Sequence, residues 1–187
     1  MVADRPEFTL DAPVVAPAAV DRVERRLGVR LPSSYRQVLE TVGNGGRIRS
    51  PDPLGFSEMV GLDGLFGVER DDWYDLEDQL RRMGERIPEG LIPFGESPGG
   101  NLVCWSARSD DGGSVWCWDH EYELAGTAVS RIADSISTFF AALANPPSDP
   151  AVAPRVRSVK IRDPEFHQRV LDEQRARRAA DSSDRKE

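Results

Sequence analysis

Apolar residues recur at intervals of three and four from about Ala16 to Leu27, where Val20, Val23 and Leu27 form one stripe of an amphipathic helix. Gly28 follows as a left-handed stop. The same period resumes after Leu31-Pro32. Tyr35, Val38, Leu39 and Val42 make the buried face of a second helix, capped by Ser33 or Ser34 and ended by Gly43-Asn44-Gly45-Gly46. Between Arg47 and Val68 the pattern weakens into Gly- and Pro-rich chain with short apolar pieces, Met59-Val60 and Leu65-Phe66, read as short strands or extended loop. A third helix is predicted from a cap at Asp71 or Asp72 through about Met83, with Trp73, Leu76, Leu80 and Met83 on one side. Asp71, Asp72, Asp75, Glu77 and Asp78 load its first half with the negative charge that a helix N-terminus favours.

The period then changes. Leu91–Gly95 reads as a strand, and residues 101–106 and 114–119 read as two more. Between them Asp110-Asp111-Gly112-Gly113 is a hairpin signal. A two-residue type I′ turn at Asp111-Gly112 pairs Trp105 with Trp118 and Cys104 with Asp119. In that register Trp105, Trp116 and Trp118 share a face with Val103, while Leu102, Cys104, Val115 and Cys117 take the other. The two cysteines are then diagonal rather than opposed, which argues against a disulfide. A last core helix is predicted over Ile132–Leu143, with Ile136, Phe139 and Phe140 on its apolar side. The expected fold class is α+β: an antiparallel sheet with a central β-hairpin, about 101–106 and 114–119, packed by N-terminal and C-terminal helices. The chain divides into an extension (1–15), a domain (16–145), a Pro-rich linker (146–154) and a charged, partly helical or disordered tail (155–187).

Composition narrows the function. At 39% hydrophobic and 30% charged residues the chain is an ordinary globular one. It has no apolar run near the roughly 20 residues that span a bilayer. Met1-Val2-Ala3-Asp4-Arg5 is not the start of a signal peptide, so a cytoplasmic location is expected. Cys104 and Cys117 are the only cysteines and form no CxxC pair, which excludes a four-cysteine zinc site. Arginine outnumbers lysine 22 to 2, as in proteins from GC-rich bacterial genomes. The net charge of −8 is uneven: residues 1–150 hold 14 basic against 25 acidic side chains, and residues 151–187 hold 10 against 7. An acidic body repels phosphate backbones and attracts basic protein surfaces, so the expected partner is a protein and not nucleic acid or membrane.

Two segments carry a resemblance. One is Val23-Glu24-Arg25-Arg26-Leu27-Gly28-Val29-Arg30-Leu31-Pro32-Ser33-Ser34-Tyr35 followed by Gly43-Asn44-Gly45-Gly46. The other is Ile92-Pro93-Phe94-Gly95-Glu96, Gly99-Gly100-Asn101-Leu102-Val103-Cys104 and Val115-Trp116-Cys117-Trp118-Asp119-His120-Glu121. In order and spacing they resemble the SUKH superfamily, Smi/Knr type, over about residues 16–144. The resemblance implies an α+β fold, no enzymatic activity and a binding role. In bacteria that role is immunity against a cognate polymorphic toxin; in a fungal branch it is regulation of cell-wall assembly through partners. A regulatory adaptor without a toxin partner is the alternative reading.

The chemistry-bearing residues are weighed against plainer roles. His120, in Asp119-His120-Glu121 at a strand end, has only His167 for company and reads as turn-stabilising rather than metal-binding. Cys104 and Cys117 sit on apolar strands, where cysteine packs as a small hydrophobe. Gly95-Glu96-Ser97-Pro98-Gly99-Gly100 leads into a strand, so it lacks the helix N-terminus of a phosphate cradle. No catalytic, cofactor or metal residues are therefore assigned. Asp71, Asp72, Asp75, Glu77 and Asp78 are either a solvated helix face or an acidic patch that mimics nucleic acid and plugs a basic cleft. Trp73, Trp116, Asp119 and Glu121 complete the candidate contact set, since aromatic residues dominate binding hot spots. The tryptophans have the alternative of filling the core.

Overall fold

Pro17 in its first turn and Gly28 just past its last set the limits of helix α1 (Pro17–Leu27). Gly28 lies at φ +69°, a left-handed conformation that a Cβ would resist. The computed structural model describes residues 8–49, 55–57, 60–83, 85–125 and 128–144. The expected linker, the tail and the first seven residues of the extension lie outside them. Helix α2 (Ser33–Thr41) begins directly after Pro32, and neither serine caps it. Both already lie inside the first turn, whose first bond runs from the Arg36 N–H to the Pro32 carbonyl at 2.9 Å.

Seven strands form one antiparallel sheet in the order β1-β2-β5-β6-β7-β8-β9. They are β1 (Thr9–Leu10), β2 (Gly46–Arg49), β5 (Gly64–Leu65), β6 (Leu91–Ser97), β7 (Asn101–Ser106), β8 (Val115–Trp118) and β9 (Val129–Ala133). Strands β3 (Gly55–Ser57) and β4 (Val60–Gly61) pair separately. The α+β class with a central antiparallel hairpin is therefore the fold, and the extension contributes β1 to its edge.

Three local expectations are corrected. The β7–β8 hairpin pairs Leu102 with Trp118, Val103 with Cys117, Cys104 with Trp116 and Trp105 with Val115. The connection is thus a long loop and not a tight turn at Asp111-Gly112. Asp111 is drawn inward to accept the Ser106 hydroxyl, its carbonyl takes the Ser114 N–H at 3.1 Å, and Gly113 supplies the left-handed residue instead. An odd shift in register exchanges faces. Leu102, Cys104, Trp116 and Trp118 consequently share one side, while Val103, Trp105, Val115 and Cys117 share the other. Second, Ile132 belongs to β9, and helix α4 is Ile136–Ala144, opened by the Ser135 hydroxyl accepting the Thr138 N–H at 3.0 Å. Third, helix α3 is Leu76–Met83 and not 72–83. Its cap is Asp75, whose Oδ1 accepts the Asp78 N–H at 2.9 Å.

The two faces have different covers. On one, Tyr35 of α2 packs 5.6 Å from Phe94 and 5.8 Å from Trp105, centroid to centroid, and Phe139 of α4 meets Phe94 edge-on at 6.0 Å. Val20 and Val23 of α1 complete that core. On the other, α3 and the segment after it lie across β6 and β8: Trp73 bonds to Glu96, and the Arg86 guanidinium lies 5.1 Å above the Trp118 ring.

Candidate functional site

The polar residues of the two motif segments are spent on the scaffold. Glu24, 4% exposed, accepts the Leu31 N–H at 2.9 Å and an Arg30 N–H at 2.7 Å, tying α1 to the Leu31-Pro32 corner. The hydroxyl of Tyr35, fully buried, donates to the Phe66 carbonyl, and burial pushes that phenol far above its ordinary range. Asn44 grips Val68 twice: its Oδ1 accepts the Val68 N–H at 2.9 Å and its Nδ2 donates to the Val68 carbonyl at 2.8 Å. The backbones run so close there that a Cβ on Gly45 would stand 2.5 Å from the Gly67 nitrogen.

The second segment behaves alike. Asp119 accepts the Glu121 N–H at 3.0 Å and so opens the 3-10 helix His120–Ala125. The Oδ1 of Asn101 accepts the His120 N–H at 3.3 Å, and His120 Nδ1 lies 3.0 Å from the same oxygen. His120 is thereby locked to the start of β7, as a turn-stabilising residue. Among the described residues no group of three or more His, Cys, Asp or Glu is gathered as a metal site. Burial, and then the Asp119 charge, push the Cys117 thiol up to about 12, and burial raises Cys104 as well. Neither supplies the thiolate that a nucleophile needs at neutral pH.

The exposed surface is elsewhere. Trp73 is 53% exposed, yet it is held from three directions. Its Nε1 donates to Glu96, its carbonyl accepts the Gln79 Nε2 at 2.6 Å, and the Arg82 guanidinium lies 5.2 Å over its ring. Gln79 is itself only 1% exposed, so the indole stands on a fixed base. The register Glu96–Leu102–Trp118 places Trp73 at the same end of the sheet as the Asp119–Tyr122 turn, with Glu96 and Trp118 two strand spacings, or ~10 Å, apart. Tyr122 is 49% exposed. Its position directly after the Trp-Asp-His-Glu run was the available signal for it, and periodicity gave none.

The candidate contact residues separate accordingly. Asp71, Asp72, Trp73 and Glu121 are exposed, and Asp78 and Asp119 are half-buried. Asp75 and Trp116 are buried and support the surface from behind. Asp75 accepts the Arg70 and Asp78 backbone N–H groups, and the Trp116 indole donates to the Ser114 hydroxyl at 2.9 Å. The acidic run is also less bare than its sequence suggests. Arg70 clamps Asp72 and holds its carboxyl below the ordinary range, Arg26 pairs with Glu77 at 2.7 Å, and Arg81 pairs with Asp78. Asp71 makes no ion pair among the described residues. Arg22 and Arg26 together hold Glu69, at a φ of +52°, down to about 2.

Comparison with known proteins agrees with the motif reading. Residues 15–142 match the SMI1 / KNR4 family (SUKH-1). A Bacillus subtilis (strain 168) protein described as "SPbeta prophage-derived uncharacterized protein YokK" is 27% identical over 164 residues, covering 75% of this chain and 83% of the relative. No helix among the described residues is long and apolar enough to cross a membrane.

Proposed function

The chain belongs to the SMI1 / KNR4 family (SUKH-1), and from that premise we propose that it is a non-catalytic binding protein that occludes a cognate toxin domain in the cytoplasm, an immunity protein. The observation that carries this reading is the division of labour among its polar groups. The motif side chains are consumed by internal bonds, whereas a solvent-facing tryptophan is fixed in place by Glu96, Gln79 and Arg82. An ordered, exposed aromatic loses little freedom on binding and is the usual form of an interface anchor. Asp71, Asp72 and Glu121 surround that end of the sheet, and with a net charge of −8 they favour a partner with a basic surface.

The test is co-purification of the full chain with the product of the adjacent gene, followed by growth rescue when the two are co-expressed. Rescue that Trp73→Ala abolishes, with the variant folded and equally abundant, supports occlusion through this surface. A toxic neighbour that the chain neither binds nor silences removes the immunity reading. Steering is tested separately: Asp71→Asn with Glu121→Asn should slow association and flatten its salt dependence. An on-rate that is the same at low and moderate salt would eliminate the electrostatic part.

A further inference from the structure

The sheet face that carries Trp116 and Trp118 holds two donors that neither the motif network nor the Trp73 surface uses. Trp118 is fully buried, and among the described residues its Nε1–H finds no acceptor; the buried Nε–H of Arg131 finds none among them either. Trp116 opposes Arg131 in register and Trp118 opposes Val129, so Trp118 and Arg131 are diagonal neighbours on one face of β8 and β9. Residues so placed have Cβ atoms about 7–8 Å apart, within reach of a single small acceptor between their side chains. Buried polar groups in native proteins are almost always satisfied, and a pair of unmet donors on one face calls for a missing partner.

The local charge specifies that partner. Arg86 lies 5.1 Å over the Trp118 ring, and Arg131 is itself cationic. Asp134 is the carboxylate bonded to Arg131, taking its Nη2 at 2.8 Å; it is 87% exposed and leaves Nε unserved. Arg108, over Trp116 on the same face, is already engaged by the Glu89 carbonyl at 2.9 Å and by Asp111. The geometry points to a carboxylate site between Trp118 and Arg131, with the two N–H groups donating to the two oxygens of one planar group beside the Arg86–Trp118 stack. Two donors match the two acceptor oxygens of a planar carboxylate. Arg86 is solvent-exposed. The carboxylate belongs either to a free small acid or to an acidic side chain of a bound protein. The site stands independently of the toxin reading.

Full-length chain labelled with 15N presents four indole N–H resonances, one for each tryptophan, and Trp118→Phe assigns the relevant one. The titrants are sodium acetate, a short glutamate-containing peptide, inorganic phosphate, and sodium chloride as the ionic-strength control. Acetate and the peptide should move the Trp118 resonance saturably, and chloride should not. Arg131→Lys keeps the charge but removes the Nε donor, and should weaken acetate about tenfold, the usual effect of one charge-assisted bond. That variant also keeps the test decisive if Trp118→Phe fails to fold. Tighter binding of the peptide assigns the site to a protein side chain; equal or tighter binding of acetate assigns it to a free acid. The inference is overturned if no titrant moves the resonance, if Arg131→Lys binds acetate as well as the parent, or if phosphate binds more tightly than acetate.

Discussion

Two polar regions of this domain contrast in where their side chains are directed. In the motif network, Glu24, Tyr35, Asn44 and Asn101 each bond to a backbone group elsewhere in the chain. In the segment 69–82 the carboxylates of Glu69, Asp72, Glu77 and Asp78 meet arginines, two of which, Arg22 and Arg26, come from α1. The first arrangement satisfies backbone groups that are buried at Glu24 and Tyr35 and part-buried at Asn44 and Asn101, so its value is larger and less dependent on salt. The second is solvent-exposed ion pairing, individually weak and screened. Most of the family signature therefore marks what holds the sheet and helices together, while Trp73, the exposed aromatic of the proposed contact surface, lies outside it.

The contrast is broken most directly at Tyr35. Tyr35→Ala empties a site among Phe94 and Trp105 and should cost about 3–5 kcal/mol in denaturant unfolding, by analogy with other aromatic deletions from cores. Tyr35→Phe isolates the hydroxyl. It leaves the Phe66 carbonyl unserved and should cost about 1–3 kcal/mol. Asn44→Ala removes two bonds to Val68 and should fall in the same range. A loss under about 0.5 kcal/mol for Tyr35→Phe and Asn44→Ala alike would show that the network is ornamental.

How far the sequence disclosed these regions depends on the range of the forces involved. Helices α1 and α2 were legible because one apolar stripe and one punctuating residue, Gly28 or Pro32, fix each of them locally. The hairpin register was not, because Asp111-Gly112 is a strong local turn signal that is overridden by the Ser106–Asp111 bond and by pairing along β7 and β8. Ile132 and Ile136, four apart, imitate a helical repeat, yet Asp134-Ser135 interrupts it, and the strand is decided by pairing with β8. The start of α3 was misread for a chemical reason. Asp72 could cap a helix, but its carboxylate is occupied by Arg70 and by the Tyr74 N–H, which leaves Asp75 to do so. Of the candidate surface, Trp73 was legible as an aromatic in an acidic run. The burial of Trp116 was not, since it follows from the register.

At the next scale down, Asp75→Ala removes a helix cap and should cost about 1 kcal/mol, read as a lower midpoint in urea with unchanged slope. Acid titration sharpens the comparison further. The Arg22 and Arg26 guanidinium groups hold Glu69 at about 2, below the model-peptide value of 4.5. A carboxyl lowered on folding stabilises above its unfolded pKa, and the contribution is lost as pH falls through the folded one. Stability should therefore decline between pH 4.5 and 2, and Glu69→Gln should lessen the decline in that window. Because the pairs are exposed, moderate salt should reduce the same contribution at neutral pH.

The smallest expected change in stability is the most discriminating. Trp73 is held by Glu96, Gln79 and Arg82, so its removal could be imagined to unfasten α3. The direction of those bonds argues otherwise. Gln79 reaches the backbone carbonyl of residue 73, which alanine retains, and α3 is fixed independently by Leu76 in the core and by the Asp75 cap. Only the indole N–H and the ring contact are lost, and of their partners Arg82 is exposed and Glu96 half-buried. Trp73→Ala should therefore unfold within about 0.5 kcal/mol of the parent, as surface substitutions do. A loss of several kcal/mol in thermal or urea unfolding would place Trp73 in the scaffold, and the separation between the two regions would fail at the residue on which the binding surface depends.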